Sequence, residues 1–275
     1  MDIDVLLHNP NALPTAPKVV DELISSFLYP NVSVDEIARK LSTDPVLSAK
    51  LLRLANSSYY HVSRTIGSID DAIRMLGFVT VRTLVISSGL VSGFKLVPGL
   101  DMKRFWRYSL NTAVAAKWLA REAADSTELA FTIGMMHALG QLVLHTGLPE
   151  EAQELDKLTG VYEPGRSAAE REAFGFDAGA VGAELALRWK FPDIFAATIR
   201  AYADPAQHGE WSRLPAIVHL AVWRAQVQES ELSPEEMAAT LPVDVLRSLE
   251  LEPATMLEDM PPLSELAEGL DDLVR

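Results

Sequence analysis

Apolar residues recur every three or four positions along most of this chain. The spacing is clear in VLSAKLLRLAN and VTVRTLVISSGLVSGF, and again in RFWRYSLNTAVAAKWLAREA and ELAFTIGMMHALGQLVLHTG. This is the period of a helix, and no stretch alternates strictly between apolar and polar residues as a half-buried strand does. The pattern predicts an all-α fold, a multi-helix bundle of two closely packed helical lobes.

Capping and turn signals divide the predicted helices. Asp44 followed by Pro45 is typical of a helix start, because the carboxylate caps free N–H groups and proline suits the first helical position. The turn VPGLD near residue 100 separates the lobes, with no long linker between them. We predict an N-terminal helical lobe over residues 1–100, a second lobe over 101–230 and an acidic C-terminal helical extension over 231–275.

The C-terminal extension carries most of the excess negative charge. It has two basic and twelve acidic side chains, whereas residues 1–100 have nine of each. It also contains apolar residues at helical spacing, which are costly to leave in water. We therefore expect it to fold back over the second lobe with Leu246, Leu249, Met256 and Leu266 buried. The alternative is a released extension that offers an acidic surface to a basic partner.

Composition excludes several classes of function. The 275-residue chain has no cysteine, which excludes disulfides, thiol nucleophiles and thiolate zinc sites and fits a reducing cytoplasm. A net charge of −14 argues against nucleic-acid binding, because a phosphate backbone would be repelled. The N-terminus lacks the basic residues of an export signal, and the apolar stretch LVISSGLVSGF stops at Lys95, well short of the thickness of a bilayer. We expect a cytoplasmic protein that binds neither nucleic acid nor membrane.

Several motifs resemble a known family in their order and spacing. They are STDPVLSAKLLRLANSSYY, IGSIDDAIRMLGFVTVRTLVISS, FTIGMMHALGQLVL and EREAFGFDAGAVGAELALRWKFPD. The chain resembles the HDOD domains, bacterial signalling modules related to the HD phosphohydrolases, and the resemblance implies that the second lobe is HD-like. It also implies partners among signalling proteins, of the response-regulator or the diguanylate cyclase and phosphodiesterase type, in pathways linked to cyclic-di-GMP.

HD hydrolases, to which this resemblance points, hold metal ions through histidines and aspartates, including an adjacent His-Asp pair. Carried over position by position, the resemblance places that pair at His137 and Ala138 and the distant aspartate at Val222. One imidazole without carboxylates cannot hold a hydrolytic metal tightly, since Mg²⁺ and Mn²⁺ need several oxygen ligands. We therefore predict no metal, no cofactor and no catalytic residue. The positions that match the metal ligands, here called the relic site, are Tyr108, His137, Ala138, Ala178, Tyr202 and Val222.

The state of the relic site is left open by the sequence. Tyrosine and alanine in place of polar ligands favour a filled apolar site, but the Tyr108 hydroxyl could equally face a ligand. We interpret His137 as a core histidine, bonded either to a backbone carbonyl or to Gln141 one turn further on.

A second candidate site lies in the first lobe. In DPVLSAKLLRLANSSYY the leucines face one way at helical spacing, and the basic side chains lie on a more polar side. Asn56 can also be interpreted as a structural residue, because asparagine at the end of a helix can terminate it through hydrogen bonds to the backbone. The candidates for the border of a groove that receives a partner helix or an anionic ligand are Arg53, Asn56, Arg74 and Arg82.

Together these observations predict a non-catalytic regulatory module that acts by binding other proteins. The alternative is a metal-free sensor of a nucleotide or another small ligand, which would use the relic site as its cavity. A residual hydrolase is the third hypothesis, and tightly bound metal near one equivalent would separate it from the other two.

Overall fold

The computed structural model describes residues 3–7, 18–25, 33–206 and 211–274. Those residues are mostly helical and contain no strand, so the predicted all-α class is confirmed. Short 3₁₀ helices lie at Ser58–Tyr60 and Asp271–Val274, and a π-helical turn lies at Thr255–Asp259. The described α-helices, numbered α1 to α17 in chain order, span Ile3–Leu7, Lys18–Ser25, Val34–Thr43, Pro45–Ala55, Ile69–Leu76, Phe78–Gly93, Met102–Glu122, Thr127–Met136, Leu139–Gly147, Pro149–Asp156, Arg166–Phe174, Ala178–Arg188, Asp193–Ala201, Arg213–Glu229, Pro234–Thr240, Val243–Ser248 and Leu263–Leu266.

The predicted helix starts are formed by side-chain caps. The Asp44 carboxylate accepts hydrogen bonds from two backbone N–H groups in the first turn of α4, with N–O distances of 3.0 Å. Pro45 is the first residue of that helix. Asp101 caps α7 in the same way, after a turn in which Gly99 has a φ of +78°. A positive φ favours glycine, which explains why this turn carries one.

The core runs through both halves of the chain. α7 packs against α8 and α14, and α8 also packs against α6 from the first half. Phe105, Leu110 and Ile133 are among its fully buried side chains. Within the described ranges, one apolar run is long enough to cross a membrane, Thr127–Gly147 of α8 and α9, and 89% of its apolar window is buried inside the protein.

The division at residues 100 and 230 stays a prediction, since the helices on either side share this core. α1, from the first predicted lobe, packs against α9 and α12 of the second. The Arg188 guanidinium of α12 also bonds the Asp4 carboxylate of α1 at 2.9 Å. Elements far apart in sequence therefore meet in one structure.

The C-terminal extension is docked on both halves of the chain. Leu246, Leu249 and Met256 are buried as predicted, whereas Leu266 is only half-buried. α16 packs on α14 and α17 packs on α7, both in the second half. The final turn, Asp271–Val274, also contacts α4 and α6 of the first half. The extension thus reaches beyond the second lobe, over which it was expected to fold.

Candidate functional site

A cavity of about 490 Å³ lies in the second half of the chain. Its walls come from α7, the junction of α8 and α9, the start of α11, the end of α13, and α14. We call this space the relic cavity, because most of the relic site lines it. The relic positions in its wall are Tyr108, His137, Ala138, Tyr202 and Val222.

Ala178, the remaining relic position, is not among the residues that line the cavity. It begins α12 where that helix meets α9, and a Cβ added at Gly140 of α9 would collide with the Ala178 carbonyl oxygen. The Ala178 N–H donates to the Glu170 carboxylate at 2.7 Å. Ala178 therefore belongs to the helix packing behind the cavity.

His137 follows α8 and is 1% exposed. Burial lowers the pKa of His137 to about 4, so the ring is neutral near neutral pH. Its Nδ1 lies 2.6 Å from the Gly134 carbonyl oxygen, and a neutral ring in that contact must donate from Nδ1. The backbone carbonyl is one of the two partners that the sequence suggested. The other nitrogen, Nε2, is then an acceptor, and it has no hydrogen-bond partner among the described residues.

Two tyrosine rings pack around His137. The ring centroid of His137 lies 5.4 Å from that of Tyr108 and 5.5 Å from that of Tyr202, and the second pair is nearly perpendicular at 84°. Burial raises the pKa of both tyrosine hydroxyls, so both stay protonated. Two neutral tyrosine rings thus flank the His137 imidazole.

A buried polar network that sequence reasoning missed reaches the cavity. Glu170 of α11 is fully buried and accepts hydrogen bonds from Arg166 Nε, at 2.7 Å, and from the Gln141 amide. Arg166 is also paired with the Asp156 carboxylate at 2.8 Å, and His145 bonds the same carboxylate at 2.9 Å. The spacing of Arg166 and Glu170, one helical turn apart, was the available signal, but most such pairs lie on helix surfaces.

Two members of this network line the cavity, and each has one polar atom without a hydrogen-bond partner in the described ranges. In Gln141 the amide nitrogen donates to Glu170 and the atom without such a partner is Oε1, and in the Arg166 guanidinium it is Nη2. Both side chains are only 5% exposed. With His137 Nε2, three buried polar atoms on cavity-lining side chains lack a partner within the described part of the chain. Because buried polar groups are almost always paired, these atoms are candidates for contacts with a ligand or ordered water.

The relic cavity does not offer the ligands of a hydrolytic metal centre. Ala138 and Val222 supply alkyl groups at positions that match carboxylates in HD hydrolases, and Glu163 at the rim is exposed. Over the ranges that the structure describes, no group of three or more His, Asp and Glu side chains could hold a metal ion. The residues present therefore do not fit the metal that HD hydrolases use.

Of the four first-lobe candidates, the structure brings two together. Asn56 exchanges hydrogen bonds with the backbone of the loop before α5, at 2.7 and 2.8 Å, and has the structural role that asparagine often has. Arg53 shares a shallow pocket with Asn56 and pairs with Asp272 of the C-terminal extension at 3.3 Å. Arg74 and Arg82 are not among the residues that line this pocket. The extension therefore lies where a partner helix or anion was expected.

The fold and the cavity define an all-helical, HD-like domain. The family model of the HDOD domain matches residues 13–205, which is more than half of the chain. This chain belongs to the HDOD domain family, and the resemblance seen in its sequence motifs is confirmed.

Two solved structures are similar over nearly the whole chain. A provisionally named phosphohydrolase from Shewanella amazonensis SB2B is 30% identical, with a TM-score of 0.78 over 98% of this chain and 96% of that one. An HDOD domain protein of unknown function from Geobacter sulfurreducens is 26% identical, with a TM-score of 0.69 over 99% of this chain and 90% of that one.

A curated protein of Treponema pallidum, strain Nichols, is a more distant relative. It is described as uncharacterized and is 23% identical over 232 residues, which are 83% of this chain. The match spans 45% of the length of that relative.

Proposed function

We propose that this protein is a non-catalytic regulatory module that acts by binding other proteins in bacterial signalling. The observation that carries the proposal is the chemistry of the relic cavity. The HD-like helices are kept, but Ala138 and Val222 stand where metal-binding carboxylates are expected. A protein without a reaction of its own acts through differential binding, by preferring one state of its partner over another.

The proposal extends to partners among signalling proteins, of the response-regulator or the diguanylate cyclase and phosphodiesterase type, in pathways linked to cyclic-di-GMP, as the resemblance to HDOD domains implies. The net charge of −14 favours a partner with a basic surface, because complementary charge speeds encounter and favours the correct orientation.

Affinity capture with the full-length chain in its native cell, followed by binding between purified components, tests the protein-binding proposal. We expect a protein of these signalling classes to be retained and to bind the purified chain in isolation. Affinity should fall as salt is added, because the charges on both surfaces are screened. If no such protein is retained, or if the purified components do not bind, the protein-binding proposal is wrong.

The non-catalytic part of the proposal has a separate test. Phosphatase activity is measured on nitrophenyl phosphate with Mn²⁺, Fe²⁺ or Zn²⁺ added, and the similar Shewanella protein serves as comparator. We expect no turnover above the protein-free rate. Turnover by this chain that a chelator removes and that His137→Ala abolishes would contradict the proposal.

A metal-free ligand sensor is the second candidate function. The relic cavity has the volume of a small-molecule site, and its lining side chains carry three buried polar atoms without a partner among the described residues. The two functions are compatible, since a ligand in the cavity could select the state that a partner protein binds. Thermal stabilisation of the full chain by a bound small molecule tests the sensor function.

A further inference from the structure

We propose that the relic cavity binds a small organic anion that also carries N–H or O–H donors. This inference rests on the sensor function and specifies the chemistry of its ligand. One part of the cavity wall offers donors that suit an anionic group, and another part offers acceptors that suit hydrogen-bond donors.

The donors lie at the start of α11. Residues 165–168 form this first turn and line the cavity, and Gly165 at the cap position has no side chain to cap it. The Arg166 and Ala168 N–H groups already donate to the carbonyl oxygens of Glu163 and Gly165, at 3.3 and 3.0 Å. The helix dipole favours a negative charge at such a helix start. Arg166 in the same turn adds a charged donor, because its buried Nη2 has no hydrogen-bond partner among the described residues.

The acceptors are His137 Nε2 and Gln141 Oε1. The second polar atom of each side chain is already committed within the protein, Nδ1 of His137 to Gly134 and the Gln141 amide nitrogen to Glu170. Those two bonds determine which atom stays free, and in both side chains the free atom accepts. A ligand that carries N–H or O–H groups would satisfy them, whereas a bare anion would not.

The rest of the wall is largely aromatic and aliphatic. It includes Tyr108, Tyr202, Val222 and Trp223. Such surfaces pack against the flat or apolar part of an organic molecule and have little affinity for an inorganic ion. The ligand is therefore an organic anion and not free phosphate.

Binding at this site requires side chains of the cavity wall to move. Each of the three unpaired atoms has almost no surface open to solvent, so small side-chain rotations must accompany entry. A ligand held by the folded state alone raises the free energy of unfolding in proportion to the logarithm of its concentration. Thermal unfolding and calorimetric titration are therefore suitable readouts.

Inorganic phosphate, glucose phosphate and GMP are the probes for the full chain. Inorganic phosphate presents the anion without an organic part, glucose phosphate adds a sugar with several O–H donors, and GMP adds N–H donors on a planar ring. We expect one or both organic phosphates to bind at least about tenfold more tightly than inorganic phosphate, a difference of about 1.4 kcal/mol. A second experiment extends the test beyond these probes. The chain is purified from its native cell, small molecules are released by heat, and mass spectrometry identifies them. We expect an organic anion to be enriched among the released molecules.

Two variants place the binding in the cavity. Arg166→Lys keeps a positive charge beside Glu170 but removes the free guanidinium N–H, so the Kd of the bound probe should rise about tenfold or more. Ala138→Leu fills the cavity from an apolar part of its wall and should abolish binding while the polar network stays intact. Arg200→Lys is the matched control, because Arg200 pairs with Glu184 on an exposed surface. The Kd of the probe for this variant should equal that for the unchanged chain.

Two results would overturn the inference. One is the absence of both probe binding and an enriched organic anion in the native-cell extract. The other is probe binding that neither folded cavity variant weakens, since the ligand would then lie elsewhere. The protein-binding proposal can fail while this inference holds. That outcome would be a capture experiment that retains no signalling partner, together with binding of GMP or glucose phosphate to the chain.

Discussion

Asn56 and Arg53 of the first half differ from three polar side chains of the relic cavity in how their polar atoms are paired. Asn56 is bonded to backbone through both amide atoms, and Arg53 faces an aspartate of the C-terminal extension. In the cavity, three buried side chains each keep one polar atom without a partner among the described residues. The bonded groups of Asn56 and Arg53 stabilise the fold, whereas the three cavity side chains are candidates for contacts with a ligand or ordered water because they line a cavity. Buried hydroxyls without a partner among the described residues also occur in the first half, at Ser57, Ser87 and Ser88, and none of these lines the relic cavity.

The largest effect is expected where two helices meet behind the cavity. In Gly140→Ala the new Cβ would collide with the Ala178 backbone, and backbone cannot move aside as a flexible side chain can. We expect the free energy of unfolding to fall by roughly 4 kcal/mol or more, measured by urea denaturation. Gly67→Ala is the control, because a Cβ there meets nothing within 4 Å. Equal stability of the two variants would contradict the close helix contact.

The buried network should be the next most sensitive feature. Glu170→Gln leaves the Arg166 charge with Asp156 as its remaining carboxylate, and we expect a loss of roughly 3 kcal/mol in the free energy of unfolding. Glu184→Gln breaks an exposed pair with Arg200 and should cost less than about 1 kcal/mol. A loss at Glu170 as small as that at Glu184 would show that the network is not buried.

His137 should make stability depend on pH. Its pKa is about 4 in the folded chain against an ordinary value of 6.5, so between these values the unfolded chain binds a proton that the folded chain does not. Stability should therefore fall as pH is lowered from 6.5 towards 4, by roughly 2 to 3 kcal/mol from this group.

His137→Phe keeps a ring in the core and removes the titrating group. Urea denaturation of both proteins across this pH range should show a smaller pH dependence in the variant. If the free energy of unfolding depends on pH equally in the two proteins, His137 is accessible and titrates normally.

The smallest effects are expected in the first half. Asn56→Ala leaves backbone groups of the loop before α5 unpaired and should cost roughly 1 to 2 kcal/mol in the free energy of unfolding. Arg53→Ala removes a partly exposed ion pair with Asp272 and should cost less than about 1 kcal/mol. If thermal unfolding ranks Arg53→Ala as the more damaging variant, the contrast drawn for this half is wrong.

The helical class and the helix starts could be predicted because their signals are local. Apolar spacing within one helix and a carboxylate two or three residues from the N–H groups it caps need no knowledge of the rest of the fold. The cap at Asp44 could be predicted for this reason. The motifs of the family also placed His137 and Val222 at one site, because a family resemblance carries tertiary information. The sequence favoured a filled apolar site there, whereas the structure has a cavity of about 490 Å³.

The remaining features depend on contacts between distant residues. Gln141 and Glu170 are 29 positions apart, and no local pattern distinguishes their buried bond from two separate surface residues. Arg53 and Asp272 meet only because the C-terminal extension crosses to the first half. The unpaired atoms of the cavity are harder still to predict, since the absence of a partner becomes visible only when all neighbours are known.

Whether the relic cavity has lost the metal chemistry of HD hydrolases is tested most directly by metal analysis. The full-length chain is incubated with Mn²⁺ and Zn²⁺, desalted and measured by plasma mass spectrometry, with His137→Ala treated in parallel. We predict far less than one metal ion per chain in both proteins, because alkyl groups at Ala138 and Val222 provide no ligand. Nearly one tightly held ion per chain that is lost in His137→Ala would contradict the absence of a metal site.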